Sequence, residues 1–199
     1  MSKGLKTRSA ILSEALSAAS TEGFQGISIG MLAERLKMSK SGLFAHFGSK
    51  EELEKAVLEE AGQRFTAAVW APARSAPRGR PRLEAIFRNW LDWSLHLDDM
   101  PGGCVFMKLS AEIDDKAGPV RDQLAAMQNQ WQATLARSAQ IAIEEGHFHD
   151  KVDPRQFAYE MQGILMALKY YRRLLQDEQA VERSEQAFAS LLERSAARH

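Results

Sequence analysis

A chain of 199 residues, 45% hydrophobic and 26% charged, is long enough to bury a core and too apolar to be a disordered polymer. Its single cysteine, Cys104, excludes an intrachain disulfide framework and a paired-thiol metal site, and points to a reducing cytoplasm. Basic and acidic side chains balance at 26 each, yet residues 1–50 hold seven lysines and arginines against three glutamates, a surplus of four that suits a phosphate-binding head or simply a solvated face.

The first residues, MSKGLKTRSAILSEAL, lack the apolar core of a signal peptide. No run of about 18 apolar residues follows anywhere, so a cytoplasmic protein without a membrane span is expected. Ile11, Leu12, Ala15, Leu16 and Ala19 recur at helical spacing and Gly23 stops them, which predicts a first helix over roughly 8–22. Ser28 is the N-cap expected for a short second helix through Leu36, and Ser39 the cap of a third running to about Phe47. Ser49 and Glu52 form a capping-box pattern opening a fourth helix at about 49–71. The stretch APARSAPRGRPR, residues 71–82, reads as a linker and a plausible seam. Leu83, Ile86, Phe87, Trp90, Ser94 and Leu97 mark a fifth helix broken at Asp98-Asp99-Met100-Pro101. A sixth covers about 104–113, a seventh starts at Gly118-Pro119 and closes near Gly146, Asp153-Pro154 opens an eighth, and a ninth spans about 179–195. No alternating pattern competes, so the expected fold class is all-α with about nine helices.

Two short helices separated only by Lys37-Met38 match a helix-turn-helix, which lays one helix across the duplex backbone and the next in the major groove. The outward positions of the third helix, Ser39, Lys40, Ser41, Gly42, Phe44, Ala45 and His46, include no acid. Gly42 costs about 0.8–1.0 kcal/mol inside a helix relative to Ala, which close approach to base edges would explain.

Residues 28–53, SIGMLAERLKMSKSGLFAHFGSKEEL, resemble the DNA-binding signature of the tetracycline-repressor family. The resemblance implies a transcriptional regulator, and it assigns roles by position. Ser28 would cap the second helix and bind a phosphate; Lys40 and Ser41 would lie at the groove, with Ser39 capping between them and the backbone. Phe44 and His46 would clamp phosphates, and Lys50 would bind one at the start of the fourth helix. Phe44 stands where the family usually has tyrosine, so packing is the safer role for it. Each serine also has a purely capping reading, His46 could close the small core, and either lysine could be merely solvated.

Beyond residue 83 the resemblance is one of architecture, although GGCVFM at 102–107 and DDKAGPV at 114–120 look like a recurrent subset of the family's sensing domains. It implies a small-molecule effector, a homodimer and no cofactor. Trp90, Trp93, Cys104, Met107, Met127, Trp131, Met161 and Tyr170 are wide, adaptable side chains that would line an effector cavity or fill a plain core. Phe157, Ile164, Leu168, Phe188 and Leu191 are candidates for a four-helix dimer interface or for an intrachain core. The expected division is a DNA-binding domain at 1–50, the connecting fourth helix, and an effector-binding and dimerisation domain at 72–199. The proposed coupling is effector binding that moves the fourth helix and releases operator DNA. An enzyme is the contrasting class, and no phosphate loop, GxSxG or HExxH supports it. The cluster His147, His149, Asp150 is the only metal-like grouping, and its place at a helix end favours a dipole role, so no metal is expected. A DNA-binding architectural protein without an effector is the third class.

Overall fold

Hydroxyl caps and left-handed glycines cut the chain into nine helices among the described residues, 3–96 and 100–197, of the computed structural model. Lys3 is described by its backbone alone; Leu97 and the Asp98-Asp99 break lie outside the described residues. Helix α1 (Lys3–Glu22) starts earlier than its apolar pattern and ends at Gly23, where φ is 73°. Ser28 Oγ accepts the Met31 N–H at 3.1 Å to open α2 (Ile29–Arg35), and Ser39 Oγ accepts the Gly42 N–H at 3.1 Å to open α3 (Lys40–Phe47). Between them Lys37 takes φ 53°, a left-handed turn that L side chains rarely adopt, and Met38 N–H closes back on the Ala33 carbonyl at 2.8 Å.

Helix α4 (Lys50–Phe65) begins with Ser49 Oγ accepting the Glu52 N–H at 3.1 Å. Glu52 itself turns to Lys55 Nζ at 2.9 Å, so the Ser49 arm of the capping box is the one seen. The rod continues through a π-helical turn (Thr66–Trp70) and a last turn (Ala71–Ala73). Then come α5 (Arg80–Leu95), α6 (Val105–Ile113), α7 (Pro119–Glu144), α8 (Pro154–Lys169) with its own π-helical turn (Tyr170–Leu174), and α9 (Ala180–Ser195). Asp153 caps α8 by accepting the Arg155 N–H at 2.8 Å, with Pro154 at the first helical position.

Packing divides the chain into two compact units, Met1–Arg64 with His96–Met127, and Phe65–Leu95 with Gln128–His199. In the first, Ile11, Ala15 and Leu16 of α1 bury with Leu32, Leu43 and Leu53. Helix α6 and the loop before it are fastened to α1 by two polar clamps. Gly102 N–H donates to Ser20 Oγ at 3.0 Å, and the Glu112 carboxylate accepts the backbone N–H groups of Phe24 at 2.8 Å and Gln25 at 2.9 Å. Both clamps need glycine. A Cβ on Gly102 would run into the Ser20 carbonyl, and one on Gly23 into Glu112 itself. These clamps fasten the loop from Met100 and helix α6 to the end of α1 within the first compact unit.

In the second unit Phe87 stacks on Phe188 at 3.9 Å and 6°, and Phe148 leans on Phe157 at 5.2 Å. The expected linker at 71–82 is an ordered corner of this unit. Arg82 donates to the carbonyls of Arg74 at 3.3 Å and Ala76 at 3.0 Å, Arg78 pairs with Glu145 at 3.5 Å, and the Arg80 N–H reaches His147 Nδ1 at 3.4 Å. Arginine forks satisfy the carbonyls left over at the helix end, so proline and glycine here turn the chain without loosening it.

Two predictions follow from the clamp. Glu112→Ala removes a mostly buried carboxylate from two backbone donors, and urea unfolding should show a loss of about 2 kcal/mol; a change below about 0.5 kcal/mol would mean the α1–α2 turn is held by packing alone. Neighbouring Glu54 has its carboxyl pushed above the usual range by burial, with Glu112 adding to the rise and Lys50 opposing it. Because its folded pKa is raised, the carboxyl's contribution is fully favourable below the ordinary carboxylate range and is lost as pH rises through the raised value. Glu54→Gln should therefore be more stable than the parent at pH 7, with the two urea midpoints converging near pH 4. A variant less stable at pH 7 would contradict this sign.

Candidate nucleic-acid interface

Helix α3, KSGLFAHF, buries Leu43 and Phe47 four residues apart, which leaves the opposite stripe outside the core. Ser39, Lys40, Ser41, Phe44 and Ala45 are exposed, and Gly42 and His46 are half-buried. Phe44 keeps 49% of its surface open, a large apolar ring on a helix with no acid. His46 leans on Phe47 at 6.3 Å between ring centroids. A Cβ on Gly42 would stand 2.9 Å from Ser39 Oγ, so the cap hydroxyl itself supplies a reason for glycine there. Ser41 Oγ lies 3.3 Å from Ser39 Oγ.

Lys40 lies back across the start of α2. A Cβ on Gly30 would sit 3.6 Å from Lys40 Nζ and 3.8 Å from Ser28 Oγ, so the small residue brings this amine and the cap hydroxyl to one spot. Lys50, the first residue of α4, is exposed and shares its charge with Glu54 at 3.6 Å. Arg35, itself exposed, is held by Glu14 and Glu22, each at 3.2 Å, which uses two of the three acids of residues 1–50 on one arginine. The remaining positive surplus is thereby left to other side chains, Lys37 and Lys40 among them. One interaction that sequence reasoning missed is Arg8 over the Phe47 ring at 5.1 Å. Nothing local marks it, since residues 8 and 47 meet only after folding.

The candidate effector residues separate. Trp90 and the half-buried Trp93 and Trp131 gather on Phe65, with Phe65 to Trp131 at 4.9 Å, to Trp90 at 5.5 Å and to Trp93 at 6.0 Å, all near perpendicular. Met161 is fully buried in the same unit. Cys104, Met107 and Met127 belong to the first unit. Tyr170 stands apart from the cluster: it is 52% exposed and packed edge-on to Tyr171, because the buried stripe of α8 ends at Leu168 and the wider π turn carries the next side chains off it.

The dimer candidates divide between the core of the second unit and the surface of α8 and α9. Phe157, Leu168, Phe188 and Leu191 are buried in their own unit, Phe188 against Phe87 and Phe157 against Phe148. An aromatic ring spent on an internal partner has little surface left for a second chain. Ile164, which is half-buried, and Leu168 line a groove of about 460 Å³ between α8 and α9, with Gly163, Ala167, Ala187 and Ser190. His149 is engaged with the Arg194 carbonyl at 3.0 Å and the Lys151 N–H at 3.2 Å, and the ring of His147 accepts from Arg80, so both histidines have structural partners.

The profile of the bacterial regulatory proteins of the tetR family matches residues 11–57, and that of the tetracyclin repressor-like C-terminal domain matches residues 79–188. No curated protein matches the sequence. Among solved structures, a TetR transcriptional regulator from Chloroflexus aurantiacus J-10-FL aligns at TM-score 0.85 and 21% identity over 98% of each chain. A TetR family regulator from Cytophaga hutchinsonii aligns at TM-score 0.86 and 17% identity over 100% of this chain and 99% of its own. AibR, solved with isovaleryl coenzyme A and operator DNA, aligns at TM-score 0.74 and 19% identity over 94% of this chain and 98% of its own.

Proposed function

The chain belongs to the tetracycline-repressor family of transcriptional regulators, and from that premise we propose that it represses by seating α3 in the major groove of operator DNA as a homodimer, and that a small, mostly apolar effector releases it. The observation that carries the reading is the exposed, acid-free face of α3, with Ser28 and Lys40 side by side at Gly30 and Lys50 at the head of the next helix. Lys40, Ser41 and Gly42 face base edges and the neighbouring backbone. Ser28, Ser39, Phe44, His46 and Lys50 hold phosphates or pack against the sugar edge. Such contacts set position and affinity by releasing counterions.

One α3 buries too little surface to bind a site tightly, and a two-fold partner reading the second half-site solves this. The groove between α8 and α9 suits that partner. Gly163, Ala167, Ala187 and Ser190 let a second pair of helices come close, and the exposed rings of Tyr159 and Tyr171 with Met166 and Leu174 supply apolar area. Residues 1–50 are read as the DNA-binding domain and 72–199 as the effector and dimerisation domain, with α4 between them as the moving part. The protein acts in the cytoplasm. Release is a population shift: the effector binds best to the arrangement whose two heads no longer match the half-site spacing.

Selection of genomic fragments by the purified protein, followed by titration of the recovered duplex, tests the whole reading; no retarded fragment at low ionic strength would end it. On the recovered duplex, Lys50→Ala should weaken operator and unrelated DNA alike and lower the slope of log affinity against log salt by about one unit. An unchanged slope would take Lys50 off the phosphate list. Ala167→Glu places a charge in the small-residue groove. Sedimentation should then show a monomer of unchanged helical content whose operator affinity has fallen by at least about tenfold, whereas a dimer with full affinity would relocate the interface.

A further inference from the structure

The second unit contains a polar anomaly. The indole N–H groups of Trp90, Trp93 and Trp131 are all buried, and none has an acceptor among the described residues. Indole nitrogen is a donor only, so a neighbouring donor cannot satisfy it, and a buried donor left without an acceptor is costly. One such group is unremarkable in a folded chain. Three on one aromatic cluster, all packed around Phe65 with Trp90 and Trp131 5.3 Å apart, call for a common explanation. Trp93 and Trp131 remain only half-buried as residues although their N–H groups are covered, so the cluster is not sealed on all sides. It also adjoins an irregular stretch of backbone: Phe65 leads directly into the π-helical turn Thr66–Trp70, whose Val69 carbonyl is held by the Asn89 amide at 3.0 Å.

We propose that Phe65, Trp90, Trp93 and Trp131 form a ligand site for a flat, uncharged organic molecule that carries a carbonyl-type oxygen, its rings lying among the indoles and its oxygen accepting their N–H bonds. The inference rests on the effector-responsive reading above and names the chemistry of the effector. The four side chains contain no charge, so a carboxylate placed among them would lose its hydration with no cation of the cluster to replace it. A quaternary ammonium would leave all three donors unsatisfied. It would also compete for aromatic faces already met edge-on, since Phe65 stands near perpendicular to all three indoles and Trp90 to Trp131. A neutral oxygen acceptor meets both requirements, as it satisfies donors and brings no charge to desolvate.

The test uses the full-length protein labelled with 15N-tryptophan and four probes of one size: naphthalene, 2-acetylnaphthalene, 2-naphthoate and 2-naphthyltrimethylammonium. The chain has four tryptophans, so Trp70, outside the cluster, serves as the internal reference. 2-Acetylnaphthalene should bind about fivefold or more tighter than naphthalene and shift cluster indole N–H resonances downfield. Trp90→Phe, Trp93→Phe and Trp131→Phe keep a ring and delete a donor; whatever each does to aromatic binding as a whole, at least one should bring the affinities for 2-acetylnaphthalene and naphthalene together. If a variant does not fold, the parent's probe preference and indole shifts decide. Equal binding of the ketone and naphthalene, stronger binding of the carboxylate or the ammonium, or no movement of any cluster resonance would overturn the site. Operator titration in parallel separates the two readings. A ketone that moves the indoles and leaves operator affinity unchanged supports the site and sinks the effector reading. A ketone that weakens operator binding without touching the indoles does the reverse.

Discussion

The carboxylate of Glu112 holds the turn that leads from α1 into α2, the first helix of the helix-turn-helix. Both oxygens are occupied by backbone N–H groups at 2.8 and 2.9 Å, and the glycine at 23 leaves the space in which that carboxylate sits. Helices α2 and α3 are short, seven and eight residues, and cannot keep their place by propensity. Their position is set by a small core under α1 and by this anchor from α6. With Gly102 fastened to Ser20, α1 is gripped near its end from two points of one loop-and-helix segment.

What sequence inspection could read was local. Ser28, Ser39, Ser49 and Asp153 are caps because a hydroxyl or carboxylate reaches an N–H two or three residues ahead, and that geometry travels with the sequence. The acid-free face of α3 and the inward turn of Leu43 and Phe47 follow from helical period alone. What could not be read was partnership across long separation. Glu112 meets residues 87 and 88 positions away, and its helix shows nothing that singles it out from any surface glutamate. The arginines of 71–82 looked like a linker because composition records prolines and charges but not the carbonyls that Arg82 would find. The apolar stripes of α8 and α9 were visible, yet periodicity does not say which neighbour a stripe meets. Phe157 and Phe188 went to their own core, and the small residues beside them, easily overlooked, shaped the groove.

Charge tells a similar story at the scale of the head. A surplus of four over fifty residues is unremarkable when spread over a surface. Folding redistributes it: Glu14 and Glu22 both converge on Arg35, which is internal business, and Lys50 is tempered by Glu54. The field left for a polyanion is then drawn from Lys40 and its neighbours beside the open face of α3. Net charge was a weak guide because its meaning lay in which charges pair with each other.

The chain passes from the first compact unit to the second at Arg64–Phe65 within α4, and from the first to the second again at Met127–Gln128 within α7. Phe65 and Trp131 stand just past these two crossings, on the two rods that continue from one unit into the other. The ligand proposed above would touch both rods, since Phe65 lies on one and Trp131 on the other, 4.9 Å apart between ring centroids. Its leverage on DNA equals the difference in how well the cluster meets it in the two arrangements, and no more. Tight binding alone would therefore accomplish nothing. The π-helical turn directly after Phe65 is the place where α4 departs from regular hydrogen bonding, and so where a change of register needs the least disruption.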